Sequence, residues 1–158
     1  MRTHLPKTML LPLSAKHVCS ISLGYHLALA TCRGTGGTLT SMDELTRAVY
    51  LSYCLGKLGY GCASEVFYRD AEAHLEIAIR HAIADGGFHL GPHGATAAVL
   101  RVLDGQLASA QTLHVVEAGN RLARWVAGTY LKSSINVLHN VNRSMCSAPL
   151  CGVRSVEA

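Results

Sequence analysis

The side chains in this sequence most able to do chemistry are its nine histidines, in a chain of 158 residues. Imidazole binds transition metals and exchanges protons near neutral pH. The densest group falls within about 60° on one face of a predicted helix, and it consists of Asp70, His74, His81 and Asp85. His74 and His81 are about 10.5 Å apart along the helix axis, which we consider too far for one metal ion. We therefore interpret the group as two local Asp–His pairs.

A second group of histidines lies in the loop after this helix. His89 and His93 supply only two ligands, which is half of a zinc site. Cys62 or His114 could complete the site if the fold brings them close. A metal-dependent enzyme that uses the helix and loop histidines is thus an open alternative. Because no four-ligand pattern is present, we predict a protein that folds with no metal and no cofactor.

Nucleophilic catalysis finds no support in the motifs. The chain contains neither G-x-S-x-G nor C-x-x-C, and its acids stand mostly at ion-pair spacing on predicted helices. We therefore predict no catalytic residues and no enzymatic activity. Six cysteines without a recognisable secretory signal indicate reduced thiols that pack as small apolar residues; they are Cys19, Cys32, Cys54, Cys62, Cys146 and Cys151.

Residue types typical of protein interfaces occur on two of the predicted helices. Arg121, Arg124 and Trp125 fall within one helical turn, and arginine and tryptophan are common interface anchors. Arg47 and Tyr50 form a second candidate pair. We predict that these five residues bind a protein partner. The alternative is that Trp125 lies in the core and the arginines are solvated.

Helices are the elements that must position these residues. Apolar residues recur with helical period in five segments, and no segment has the pattern of a strand. The predicted fold is all-α, an antiparallel bundle of about five helices. We expect an extended arm over residues 1–19, a helical domain over 20–132 and a mobile tail over 133–158.

The helical pattern also predicts where the helices begin and which of their faces point to the core or to solvent. The first helix is expected from Ser20 to Arg33, with its core face on Leu23, Leu27 and Ala30. The second is expected to start at a capping box of Ser41 to Glu44, and its outward stripe is Asp43, Arg47, Tyr50, Cys54 and Lys57. Later helices are expected over 64–84, from Pro92 and over 113–130. The predicted core includes Val49, Leu55, Phe67, Leu75, Val102, Leu122 and Val126.

The composition favours a partner. Apolar residues make up 49% of the chain and charged residues only 15%, and the mean hydropathy is +0.24. A typical domain has about 25% charged residues, so we expect part of the apolar surface to be covered by another protein or by a second copy. A homodimer is the commonest such assembly, and the leucine-rich stretch of residues 9–13 could contribute to it.

The charge distribution defines a further alternative. The net charge is +4, and residues 1–41 carry four basic and no acidic residues. A nucleic-acid-binding regulator could use such basic arms. Because the basic residues form no cluster, we predict weak, salt-sensitive nucleic-acid binding at most.

No segment has the pattern of a membrane span or a secretory signal. The longest plausible apolar segment, residues 17–32, contains two histidines, two serines, glycine and tyrosine. The apolar run near the N-terminus is short and contains Pro12. We expect a soluble, cytoplasmic protein with no membrane contact.

Two stretches resemble a family of small helical accessory proteins encoded on bacterial plasmids, integrative elements and phages. The first contains Leu11–Lys16 and continues with Ser22–Leu29, and the second runs from Val49 to Gly61. The resemblance implies a helical accessory protein of a mobile element. Such elements also encode non-enzymatic inhibitors of host defence, including anti-CRISPR proteins.

We therefore expect a non-enzymatic helical protein that binds another protein stoichiometrically. Its most specific version is an anti-defence inhibitor that acts on a host defence component, or a mobile-element accessory factor. The low charge fraction, the missing catalytic motif and the resemblance all favour this hypothesis over the regulator and the metal-dependent enzyme.

Overall fold

The computed structural model describes residues 6–85, 87–91 and 94–128, and describes side chains within 6–83, 87–91 and 94–124. A short 3₁₀ turn precedes five helices in these ranges: Lys7–Leu10, then α1 (Ala15–Arg33), α2 (Leu39–Lys57), α3 (Glu65–Asp85), α4 (Ala95–Ser109) and α5 (Thr112–Gly128). The prediction of an all-α, five-helix fold is confirmed. Within the described part no helix is long and apolar enough to cross a membrane. The predicted tail and the side chains of Trp125 and Val126 lie outside the described residues.

The first helix starts five residues before its predicted boundary. Ser14 is the N-cap, and its hydroxyl oxygen accepts a hydrogen bond from the backbone N–H of His17 at 3.4 Å. Residues 15–19 are therefore helical and do not belong to an extended arm. Pro6 and Pro12, which disfavour a continuous helix, lie upstream of this cap.

The predicted start of α2 at Ser41 is also wrong. Thr38 is the N-cap, and its hydroxyl oxygen accepts from the backbone N–H of Ser41 at 3.2 Å. A threonine three residues earlier performs the role that the sequence pattern assigned to serine.

Packing is centred on α2, which contacts each of the other four helices. Being surrounded requires an apolar arc wider than that of a surface helix. Ten of its residues are buried, from Met42 to Leu55. Among the residues predicted as core, Val49, Leu55 and Leu75 are buried, whereas Phe67, Val102 and Leu122 are only half-buried.

The central position of α2 overturns part of its predicted outward stripe. Tyr50 and Cys54 are 6% and 5% exposed. The Tyr50 hydroxyl donates to Glu72 Oε1 at 2.5 Å, and this carboxylate of α3 is itself buried. Burying a carboxylate is unfavourable unless it is hydrogen-bonded, so the Tyr50 hydroxyl and the Glu72 carboxylate stabilise each other's burial.

A polar cluster joins α2, α3 and α4 inside the core. Gln106 on α4 is 3% exposed. Its Nε2 donates to the Ser52 carbonyl at 3.1 Å and to the Tyr60 carbonyl at 2.7 Å, and its Oε1 accepts from Ser52 Oγ at 2.7 Å. Tyr68 on α3 donates its hydroxyl to the Ser52 carbonyl at 3.4 Å. The side chain of Gln106 therefore ties the middle of α2 to the loop that follows it.

Two close backbone arrangements depend on glycine. Gly61, beside Gln106, has a φ of +83°, a conformation that favours glycine. A Cβ built on Gly37 would lie 1.9 Å from the Phe88 carbonyl oxygen. The loop after α1 thus packs against the segment between α3 and α4, where the Leu90 N–H also donates to the Cys32 carbonyl at 2.8 Å.

The residues before α1 pack against the start of α5. The Leu11 carbonyl accepts from the backbone N–H and the hydroxyl of Thr112 at 2.8 and 2.9 Å. Pro12 forms an isolated antiparallel bridge with Gln111. Leu11 therefore satisfies backbone donors that the first turn of a helix leaves without partners.

Replacing Gln106 tests the polar cluster. We expect Gln106→Leu to lower the free energy of unfolding by about 2–4 kcal/mol, because Ser52 Oγ and the Tyr60 carbonyl lose their buried partner. Urea denaturation followed by circular dichroism measures the change. Asn120→Leu, the same replacement of an amide at an exposed position, should change stability by less than about 0.5 kcal/mol. Equal effects of the two changes would show that the buried hydrogen bonds contribute little.

Candidate functional site

The outward face of α1 is apolar. Leu23 and Leu27 are 55% and 57% exposed, whereas Ala28, Leu29 and Cys32 are buried. The predicted core face of Leu23, Leu27 and Ala30 is therefore wrong: these three side chains are exposed. The error has a physical cause, because both sides of α1 carry apolar residues and periodicity alone does not indicate which side faces the core.

Charge is almost missing from this helix. Residues 17–32 contain no Asp, Glu, Lys or Arg, and the segment is flanked by Lys16 and Arg33. The first acid in the sequence is Asp43. We call the exposed side chains of Cys19, Leu23, Leu27 and Ala30, together with the flanking Lys16 and Arg33, the α1 face. An exposed helical face with this composition is unusual, since solvated faces are normally rich in charge.

A groove runs beside the α1 face. It has a volume of about 630 Å³ and is formed by α1, the residues just before it and the end of α4. Its lining is mostly apolar and comprises Leu13, Ala15, Val18, Cys19, Ser22, Leu23, His26 and Ala108. Leu23 and Cys19 belong to both the groove and the α1 face, so the two form one continuous surface.

A polar cluster of α1 and α4 lies next to this groove. Asp104 accepts hydrogen bonds from the Ser22 hydroxyl and from His26 Nε2, the latter at 2.9 Å. The Asp104 carboxylate lies between the Ser22 hydroxyl and the His26 ring. A serine nucleophile needs direct contact with its base, and here Ser22 donates to Asp104 and not to His26. The geometry therefore fixes α1 against α4 and does not have the arrangement of a catalytic triad.

Three histidines line a second cavity, of about 530 Å³, between α3 and residues 87–91. They are His74, His81 and His89, and Ile77, Ala78 and Leu90 supply apolar walls. His89 donates from Nδ1 to the Gly34 carbonyl at 3.1 Å. The structure thus brings the helix and loop histidines to one cavity, although the sequence analysis left their relative positions open.

The described groups around this cavity were compared with the requirements of a metal site. Among the described residues, no group of three or more His, Cys, Asp or Glu side chains is placed to hold a metal ion. His74 Nδ1 lies 3.9 Å from Asp70 Oδ1, so the predicted Asp70–His74 pair is present at the outer limit of an ion pair. The side chains of Asp85 and His93 lie outside the described residues. His114 hydrogen-bonds Tyr60 through Nδ1 at 2.7 Å.

The predicted interface anchors do not form one site. Arg47 is exposed and pairs with Asp43 at 3.0 Å, while Tyr50 lies in the core. Arg121 pairs with Glu117 at 2.7 Å, and exposed Arg124 donates to the Asn120 carbonyl at 3.3 Å. Each of these three arginines is thus engaged by a residue of its own helix, and Tyr50 is unavailable to a partner. Leu23 and Leu27, by contrast, are exposed although the sequence analysis assigned them to the core.

The four described cysteines are free thiols in two environments. Cys19 and Cys62 are exposed, whereas Cys32 and Cys54 are buried. Burial raises the pKa of the Cys54 thiol to about 11, although the positive charge of Arg121 opposes the shift. The folded protein therefore keeps this proton at a pH where the unfolded chain loses it. Stability should fall as the pH rises from about 9 towards 11.

Comparisons with known proteins return no match: no family model, no curated protein and no solved structure is similar to this chain.

Thiol labelling tests the two cysteine environments. In a variant with Cys146 and Cys151 replaced by serine, we expect Cys19 and Cys62 to react quickly with a maleimide at pH 8. Cys32 and Cys54 should react only after unfolding, because buried, protonated thiols are poor nucleophiles. Peptide mass spectrometry assigns the modified residues. Rapid labelling of Cys54 in the native protein would contradict the buried position of α2.

Proposed function

We propose that this protein is a non-enzymatic binding protein that acts stoichiometrically on another protein through the α1 face. The observation that carries the proposal is the exposure of Leu23 and Leu27 on a helix with no charged residue between Lys16 and Arg33. A contiguous exposed apolar surface on a folded protein marks a candidate binding site. The core covers one side of α1, and a partner covers the other.

The free energy gained by burying the exposed leucines supports a specific binding surface. Full burial of a leucine side chain is worth about 1.5–3 kcal/mol, so covering the exposed halves of Leu23 and Leu27 contributes about 1 kcal/mol each. The adjoining groove adds a concave pocket, and interface anchors gain most when they enter such pockets. The α1 face therefore offers both apolar area and shape.

Catalysis is disfavoured by the contacts near this surface. The Ser22, His26 and Asp104 cluster lacks a contact between nucleophile and base. In the part of the chain that is described, the histidine-lined cavity has no set of donors for a metal ion. The contacts of Ser22, His26 and Asp104 weigh against nucleophilic catalysis at this surface and favour binding there.

The most specific form of the proposal is an anti-defence inhibitor or a mobile-element accessory factor that binds a host defence component. Its support is the resemblance carried by Ser22–Leu29, a stretch that contains Leu23 and Leu27, and by Val49–Gly61. The nucleic-acid-binding regulator is less well supported, because the described basic residues of the N-terminal part alternate with exposed leucines. Apolar side chains contribute little to phosphate contacts.

Substitution of the two exposed leucines tests the proposal. We expect the wild-type protein, expressed with an affinity tag in its natural host, to retain one partner at a near-equal molar ratio. Leu23→Ser/Leu27→Ser should lose that partner, because the apolar contact is removed. The matched control is Val66→Ser/Ile83→Ser, which changes two largely exposed apolar residues of α3. Quantitative mass spectrometry of the retained protein is the measurement. Retention by the leucine variant and loss by the control would reject the α1 face.

The homodimer remains a separate prediction. Leu10 and Leu11 are 49% and 60% exposed, so a second copy can reach them. We expect a dimer whose dissociation constant rises in Leu10→Ser/Leu11→Ser, and analytical ultracentrifugation over a dilution series measures it. A monomer at high micromolar concentration would contradict the prediction.

A further inference from the structure

We propose that the occupant of the α1 face is an acidic amphipathic helix belonging to the partner protein. This inference rests on the proposed function and specifies its ligand. The apolar side of the incoming helix packs on Leu23 and Leu27 and enters the adjoining groove, while its carboxylates lie near Lys16 and Arg33.

Charge complementarity is the first argument. The described chain from residue 6 to residue 42 contains three basic residues and no acid; they are Lys7, Lys16 and Arg33. Lys16 and Arg33 bracket the uncharged residues of α1. Asp104 hydrogen-bonds Ser22 and His26, in the middle of α1 and away from its two basic ends. A partner with glutamate or aspartate near the ends of its apolar stripe therefore meets positive charge at both ends of α1.

Shape is the second argument. Amphipathic helices dock into apolar grooves by inserting side chains spaced at i, i+3, i+4 and i+7. The groove is shallow, open and mostly apolar, and Leu23 is part of its lining. A bilayer has no convex ridge to fill such a groove. A helix has one, so the concavity favours a protein element over an anionic membrane surface.

The length of the α1 face sets the length of the partner helix. Lys16 and Arg33 are seventeen positions apart, which corresponds to about 25 Å along α1. A helix of about 18 residues spans the same distance. Five turns of acidic amphipathic helix are thus sufficient to reach both basic residues.

The same charges disfavour two occupants from this protein. A second copy seated by its own α1 face would bring Lys16 and Arg33 close to the same residues of its partner. The segment of residues 129–158 carries three basic residues and one acid, so it too is positively charged. Neither supplies the carboxylates that would complement Lys16 and Arg33.

Synthetic peptides provide the probe. One 18-residue peptide has leucine on one helical face and glutamate on the remaining positions, and a second has lysine in place of glutamate. Fluorescence anisotropy of the labelled peptides measures their affinity for the full-length protein. We expect the glutamate peptide to bind and the lysine peptide to bind at least about tenfold more weakly, a difference of about 1.4 kcal/mol.

Paired variants locate the binding site. Leu23→Ser/Leu27→Ser and Lys16→Glu/Arg33→Glu should each weaken binding of the glutamate peptide by about tenfold or more. The matched controls, all at exposed positions of α3, are Val66→Ser/Ile83→Ser for apolar side chains and Arg69→Glu/Arg80→Glu for charge. Both controls should bind like the wild type. Circular dichroism confirms that each variant is folded before its affinity is compared.

Three results would overturn the inference. The first is equal binding of the two peptides, and the second is binding that the control variants weaken as much as the α1 variants do. The third is stronger binding to phosphatidylserine vesicles, lost in Leu23→Ser/Leu27→Ser, which would assign the face to a membrane. Failure of the peptides while the leucine variant still loses its partner in the host would reject the acidic helix and keep the proposed function. Peptide binding with no host partner would reject the proposed function, whereas the affinity of the α1 face for an acidic helix would still hold.

Discussion

The fold depends on the buried amide of Gln106. This side chain satisfies Ser52 on the central helix and the Tyr60 carbonyl just beyond that helix, and Tyr60 in turn hydrogen-bonds His114 on α5. A buried amide is costly without partners, so α2, α4 and the loop after α2 can pack in only one register relative to one another. The apolar contacts of the core supply most of the stability, and Gln106 selects the arrangement in which they form.

In that arrangement α1 packs its inner side on α2 and α4, and its outer side, which includes Leu23 and Leu27, stays exposed. Asp104 holds α1 on α4 through Ser22 and His26, and Ala28, Leu29 and Cys32 complete the inner contact. The outer leucines are then not required for the fold. An exposed apolar residue that contributes little to folding can be retained for recognition, which is the basis of the function proposed for the α1 face.

The sequence predicts the helices well and their faces less well. Periodicity correctly indicates an all-helical bundle and the burial of Leu75. It fails for Tyr50, because the tyrosine hydroxyl is polar and only its hydrogen bond with the buried Glu72 makes burial favourable. It fails for Leu23 and Leu27 because α1 has apolar residues on both sides, and periodicity then does not indicate which side faces the core. Contacts between residues far apart in the chain determine whether these side chains are buried, and local sequence patterns do not contain that information.

The hydrogen bonds between Leu11 and Thr112 have a consequence for the order of folding. They join residues 101 positions apart, and they provide the cap at the start of α5. Closing so long a loop is entropically costly and slow compared with forming a helix. During synthesis, the chain must extend well past Thr112 before the segment around Leu11 can be fixed in place. That segment, although it is made before all five helices, is therefore among the last of the described parts to reach its final position.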